Sequence, residues 1–199
     1  SFSNDGTVIN DSNLNTTNCK YGNCYTFDGG FGSNDYIRVS NDASLNNLGK
    51  VTISWWQWLN SLGAATIPVS KDGDGGFYVQ ENTNGQLSLR YGSASGTVGA
   101  AGDVAVGKWQ HVVLKYDGSA AYAYVDGVKL ASSRSGSAPS GMNDPLFIGG
   151  YGADGSAAAT AYWFNGSIDE LQIWKHSFSD EEIYQQYASN LQKHDSENW

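Results

Sequence analysis

The sequence predicts an all-β fold: an antiparallel two-sheet sandwich with one short C-terminal helix. Three observations lead there. Apolar residues recur at period two along most of the chain, turn signals separate these runs at short intervals, and only the C-terminal stretch carries a helical repeat. Short strands with little helix between them indicate antiparallel pairing. At 199 residues, with no shift in composition, one domain spanning 1–199 is expected. Aromatic residues make up 13% and charged residues only 16%, which excludes a disordered chain.

The elements follow in order. Tyr25 to Phe27 and Tyr36 to Val39 read as short strands. Thr52 to Leu59 is a β-branched and aromatic run of strand length. Phe77 to Gln80 follows a Gly-rich turn, Leu87 to Tyr91 alternates cleanly, and Gln110 to Tyr116 is a long strand. Ala121 to Val125, then Asp126-Gly127, then Val128 to Leu130 is the clearest hairpin, because Asp-Gly supplies the positive φ angles of a type I′ turn. Leu146 to Ile148 and Gly166 to Trp174 complete the strands. Ser179-Asp180-Glu181-Glu182 is a capping box, with Ile183, Tyr187 and Leu191 at helical spacing behind it. A helix over 180–191 is expected, followed by a polar, frayed tail from His194 to Trp199.

Charge excludes one class of partner. Eleven Lys and Arg against 20 Asp and Glu give a net charge of −9, which repels phosphate backbones, so no nucleic-acid partner is expected. No run of about 18 apolar residues occurs, so no membrane insertion is expected. The charged and apolar segments of a signal peptide are missing too, as in a mature chain or an excised module. Cys19 and Cys24 lack the CxxC redox spacing and the further ligands of a metal site, so a local disulfide is the better reading, adding about 2 kcal/mol. A disulfide points to an oxidising compartment, hence a secreted or cell-surface location. The sequons at Asn10, Asn15 and Asn165 are compatible with export.

Several segments together resemble a known family. Cys24-Tyr25-Thr26-Phe27-Asp28-Gly29-Gly30, with Asn34-Asp35-Tyr36-Ile37, resembles the entry motif of laminin G-like domains. Val51-Thr52-Ile53-Ser54-Trp55-Trp56 resembles their "TISxW" strand, and Lys108 to Val113 with Ala123 to Gly127 their "W-HVA…YVDG" hairpin. Phe164-Asn165-Gly166-Ser167-Ile168-Asp169-Glu170-Leu171, running on to Phe178-Ser179-Asp180-Glu181-Glu182-Ile183, is similar to the family's ending. The resemblance covers about residues 24–188 in the right order. It implies the concanavalin A-like β-jelly roll, with one of its two sheets concave. It also implies a structural calcium between the N-terminal region and the "IDE" strand. Asp28, the Gly29 carbonyl and Asp169 would then be ligands, with Asp11 a weaker candidate. On their own chemistry, Asp28 and Asp169 could equally accept backbone hydrogen bonds at turns.

Other constellations point to binding more than to catalysis. Lys71-Asp72-Gly73-Asp74-Gly75-Gly76 has the start of a calcium loop but lacks its bidentate Glu, and a hairpin loop explains it equally well. Alternation puts Ile53, Trp55, Gln57 and Leu59 on one face and Thr52, Ser54, Trp56 and Trp58 on the other. Exposed Trp rings stack on the apolar C–H faces of sugars, so Trp56 and Trp58 are expected to bind a glycan or polysaccharide. Tyr78, Gln80, Arg90 and Tyr91 are expected beside them; the bland alternative is Trp packing under a loop. Tyr151, Asp154, Tyr162 and Trp163, on the long loop before the last strand, are further ligand candidates, or else pack the loop on itself. A glycosidase would need two carboxylates facing one sugar. Adjacent Asp169 and Glu170 point apart on a strand, Glu81 has no strand-mate, and His111, His176 and His194 have no nucleophile at readable spacing. A non-catalytic, lectin-like extracellular module is the leading expectation. A cell-surface protein-adhesion module using Tyr151 and Trp163, and then a polysaccharide-cleaving enzyme, are the alternatives.

Overall fold

The computed structural model describes residues 4–10, 12–30, 34–46, 48–71, 75–152 and 158–196, with the backbone alone for 190–196. The strands are β1 (Gly6–Ile9), β2 (Asn13–Asn15), β3 (Cys24–Asp28), β4 (Tyr36–Val39), β5 (Val51–Leu59), β6 (Thr66–Lys71), β7 (Phe77–Glu81), β8 (Leu87–Tyr91) and β9 (Ala94–Thr97). They continue as β10 (Trp109–Tyr116), β11 (Ala120–Val125), β12 (Val128–Lys129), β13 (Arg134–Ser135), β14 (Leu146–Ile148) and β15 (Asn165–Trp174). One helix follows, α1 (Asp180–Ser196).

These strands form the expected two antiparallel sheets. One runs β1-β4-β14-β6-β7-β8-β9, the other β12-β11-β10-β5-β15-β3-β2, with β13 on β11. Inward residues at alternate positions build the shared core: Ile53, Trp55 and Leu59 from β5, Val112 and Leu114 from β10, Phe77 and Val79 from β7, Leu87 and Leu89 from β8. Asp126 and Gly127 have φ of 51° and 76°, the left-handed pair that the Asp-Gly hairpin requires. Cys19 and Cys24 form the disulfide.

A buried polar network ties the sheets together. The Glu81 carboxylate of β7 accepts hydrogen bonds from Gln57 Nε2 of β5 and from Thr66 Oγ1, and Gln57 Oε1 accepts one from Trp55 Nε1. Glu81 has no cationic partner in this network, and burial pushes its pKa up to about 7.

Most of the second face of β5, all but Trp58, is covered instead of solvent-exposed. Thr52, Ser54 and Trp56 are all buried there, because α1 packs across them. Thr52 Oγ1 donates to the His176 carbonyl and accepts from the Phe178 N–H, which fixes the approach to the helix. Ile183 is fully buried against Val113 and Tyr124, and Gln186 Nε2 donates to Ser54 Oγ. Tyr124 Oη, Lys115 Nζ and Lys129 Nζ converge on the Asp180 carboxylate at 2.6, 3.1 and 3.3 Å. The Tyr124 hydrogen bond, helped by the two ammonium groups, holds that carboxyl at about 2.

The capping box forms as predicted. Ser179 N–H donates to Glu182 Oε2, and Glu182 N–H donates to Ser179 Oγ. Ser179→Ala is therefore expected to cost about 1 kcal/mol, read as a midpoint shift in urea; an unchanged midpoint would show that docking alone holds the helix. The helix continues to Ser196, past the predicted end at 191, because no Gly or Pro stop intervenes. No helix among the described residues is long and apolar enough to cross a membrane.

Candidate functional site

Strand pairing on the seven-stranded sheet sets out the site. Across β7 and β8, Tyr78 lies opposite Arg90 and Gln80 opposite Ser88, and across β8 and β9, Ser88 lies opposite Thr97. All five side chains are half-buried and belong to the outward-facing set, since their neighbours Phe77, Val79, Leu87, Leu89 and Tyr91 fill the core. Gln80 Nε2 donates to Asn82 Oδ1, and Ser88 Oγ lies 3.1 Å from Thr97 Oγ1, so the polar groups are held in place before any ligand arrives.

The described parts of the long loop before β15, 149–152 and 158–164, meet this surface through Tyr151. Its root is fixed by Gly149 N–H on the Pro68 carbonyl, Ser70 Oγ on the Gly150 carbonyl and Ile67 N–H on the Tyr162 carbonyl. Gly149 has φ of 91° and sits against the Phe27 ring, where a Cβ would come within 2.3 Å, so only glycine fits. Within the loop Tyr151 pairs with Ala161. Tyr151 meets Tyr78 edge-to-face at 5.9 Å and Tyr162 edge-to-face at 5.7 Å. Tyr162 is 43% exposed and has φ of 53°, a left-handed conformation that costs free energy in a tyrosine. Floor and wall together offer tyrosine rings, an amide, hydroxyls and one guanidinium. None of the outward floor residues is a carboxylate.

Not every expected ligand residue reaches this surface. Tyr78, Gln80, Arg90 and Tyr151 do. Tyr91 does not, because it is adjacent to Arg90 and alternation turns it inward; it is fully buried, stacked on Tyr116 at 4.7 Å and on Phe77 at 6.3 Å. Trp163 packs on Tyr36 at 6.1 Å, so it anchors the loop. Asp154 lies outside the described residues. Trp56 and Trp58 are on the other sheet, so the single site expected from sequence divides between two outer faces. Trp56 is buried beneath α1, stacked on Tyr187 at 5.7 Å, beside His111 at 5.2 Å and under Lys20 Nζ at 4.2 Å, and presents no ring face to a ligand. Trp58 is half-buried, opposite Trp109. Ser88, Thr97 and Trp109 were missed; alternation on β8 would have revealed Ser88, whereas Thr97 and Trp109 need the pairing register.

The expected calcium ligands do not converge either. Asp28 pairs with Asn165, and Asp169 lies four residues further along β15, about 13 Å away at ~3.3 Å per residue. Asp28 Oδ1 accepts from the Gly30 N–H. Asp169 Oδ2 accepts from the Tyr21 N–H and its Oδ1 from the Glu170 N–H, both at 2.8 Å. A β-bulge with Glu170 at φ of 51° shapes this corner, and burial raises the Asp169 pKa. Asp169 thus joins the N-terminal segment to β15 through a hydrogen bond. Asp11 and the Asp72–Asp74 stretch lie outside the described residues. Among the described residues no group of three or more His, Cys, Asp or Glu is arranged to hold a metal ion. Asp28 and Asp169 lie too far apart along β15 to share one cation as they stand.

Two antiparallel sheets and one helix define an architecture shared with known proteins. The Laminin_G_3 family model, of the concanavalin A-like lectin/glucanases superfamily, matches residues 31–184. The chain belongs to that superfamily. Among solved structures, this superfamily member is similar to the binding domain of Paraclostridial Mosquitocidal Protein 1, with a TM-score of 0.71 at 14% identity over 94% of this chain and 47% of that one. It is also similar to domain 4 of AbnA, a GH43 extracellular arabinanase from Geobacillus stearothermophilus solved with arabinotriose, with a TM-score of 0.65 at 18% identity over 90% and 86%. A putative carbohydrate binding protein from Bacteroides ovatus gives 0.62 at 20% identity over 81% and 46%. The chain thus spans about half the length of the first and third. No curated protein matches it. At these identities the likeness shows the fold.

Proposed function

We propose that this domain is a non-catalytic carbohydrate-binding module, with a glycan lying on the Tyr78, Gln80, Ser88 and Arg90 floor against the Tyr151 and Tyr162 wall. The observation that carries the proposal is the edge-to-face contact of Tyr151 with Tyr78, which brings loop and sheet into one aromatic corner beside ordered hydrogen-bonding groups. Sugars fit that combination because their C–H faces are apolar and their hydroxyls need oriented partners. Domain 4 of AbnA, solved with arabinotriose, supports the substrate class. The Cys19–Cys24 disulfide supports a secreted or cell-surface location.

A glycan array followed by affinity electrophoresis in the best polysaccharide tests this. Tyr151→Ala is expected to weaken retention about tenfold, equivalent to 1.4 kcal/mol, with an unchanged far-UV spectrum. Retention unaffected by both Tyr151→Ala and Tyr78→Ala would remove the site. An empty array beside specific capture of a cell-surface protein would favour adhesion instead, and release of reducing ends would show an enzyme.

A further inference from the structure

The outer face of the eight-stranded sheet carries a second cleft, of about 800 Å³, at the end of β5 and β10. Its aromatic part is Trp58 and Trp109, paired across the two strands with ring centroids 6.3 Å apart and planes at 64°. Both rings are half-buried, so each is held firmly yet keeps exposed surface. Its polar part is a row of neutral groups. Asn15 Nδ2 donates to Thr26 Oγ1, and Thr26 Oγ1 lies 3.3 Å from Ser167 Oγ. Asn60 Nδ2 completes the rim, fixed on Asn165 Oδ1 at 3.1 Å. The Cys19–Cys24 disulfide closes the neighbouring turn, and Cys19 itself lines the cleft. Among the described residues no charged side chain lines it.

Indole rings with amides and hydroxyls, and no charge, suit a neutral sugar ring. A phosphate, sulfate or ammonium group would find no counter-charge there among the described residues. The geometry points to the Trp58–Trp109 cleft as a second binding site for a neutral glycan, on the side of the sandwich opposite Tyr78. This inference rests on the reading of the domain as a carbohydrate-binding module, and adds that the module is bivalent. The two sheets stack about 10 Å apart before their outer side chains are counted. A short oligosaccharide therefore reaches one face only, and two glycan chains can be held at once. Binding to a polysaccharide matrix then gains from effective concentration without any new contact.

The test is an NMR titration of the full chain with arabinotriose, xylotriose and cellotriose. The Trp58 and Trp109 indole N–H signals report one face, and the Tyr78 and Tyr151 ring signals report the other. For at least one trisaccharide both sets are expected to shift. Trp109→Ala should weaken the Kd read at Trp58 tenfold or more and leave the Kd read at Tyr78 unchanged, and Tyr151→Ala should do the reverse. Trp109→Phe, which keeps an aromatic ring in the wall, should retain most of the binding and controls for folding. Shifts at the tyrosines with unmoved indoles would overturn the second site and leave the proposed function standing. Shifts confined to the indoles and abolished by Trp109→Ala would support the cleft and overturn the Tyr78 face. If no trisaccharide moves either set, both fail.

Discussion

Trp56→Ala is expected to destabilise the domain by about 3–5 kcal/mol, the range for removing a buried large aromatic side chain. The ring is 1% exposed and is clasped between β5, the helix and the N-terminal segment. Tyr187 stacks on it, His111 lies beside it, and the Lys20 ammonium sits over its face. Truncation would open a cavity at the meeting point of three elements and release the helix from its hardest contact. Differential scanning calorimetry should show a melting temperature lower by about 6–20 °C in a chain of this size. Trp56→Phe should recover part of the loss by refilling the cavity. Glycan retention at temperatures where the variant is folded should persist. Lost retention with an unchanged melting temperature would return Trp56 to the ligand-binding surface.

The second large effect is a pair of opposed pH dependences. Glu81 has a folded pKa of about 7 against an ordinary 4.5, chiefly because burial disfavours the carboxylate. Its contribution is present at low pH and is lost as pH rises through 4.5 to 7. His111 is its mirror image. Its folded pKa is about 4 against 6.5, because burial and the nearby Lys20 charge disfavour the imidazolium. Both of its ring nitrogens are buried without a hydrogen-bond partner among the described residues. Its contribution is present above 6.5 and is lost as pH falls to 4. Each shift amounts to about 3 kcal/mol at 1.36 kcal/mol per unit. Over nearly the same interval the two slopes run in opposite directions, so the wild type should look flat in this respect. Glu81→Gln removes one of them: its urea midpoint should rise steeply from pH 4 to 6.5 and exceed the wild type's at pH 8. His111→Phe removes the other, and its midpoint should fall from pH 4.5 to 7. If both variants track the wild type in parallel, neither group titrates in the folded state as burial demands.

Local chemistry carried most of the fold. The Asp126-Gly127 turn, the Ser179 capping box and the alternation of Ile53, Trp55, Gln57 and Leu59 are written in adjacent residues, and each forms as read. The site was less legible, for three physical reasons. Trp56 and Trp58 share a parity, so only the position of a helix more than 120 residues away decides that one is covered and the other is not. Asp28 and Asp169 look paired by motif, but the register of β3 on β15 spaces them four residues apart. Assigning β5 and β7 to different sheets likewise needed long-range pairing, which no local pattern encodes.

The position of β15 has a consequence for how this chain comes into being. Of the described strands it is the last made, yet it lies between β5 and β3 and pairs with both. A nascent chain emerging vectorially lacks that central rung until residues 165–174 are out, so the β2–β3 pair has nothing to join. The domain therefore completes folding only once β15 has been synthesised, through contacts of large sequence separation. Such topologies acquire native structure slowly. During that delay β5, with its three tryptophans, waits with an unpaired edge. Synthesis speed and chaperone access to that edge should govern the yield of soluble protein more than the stability of the finished molecule.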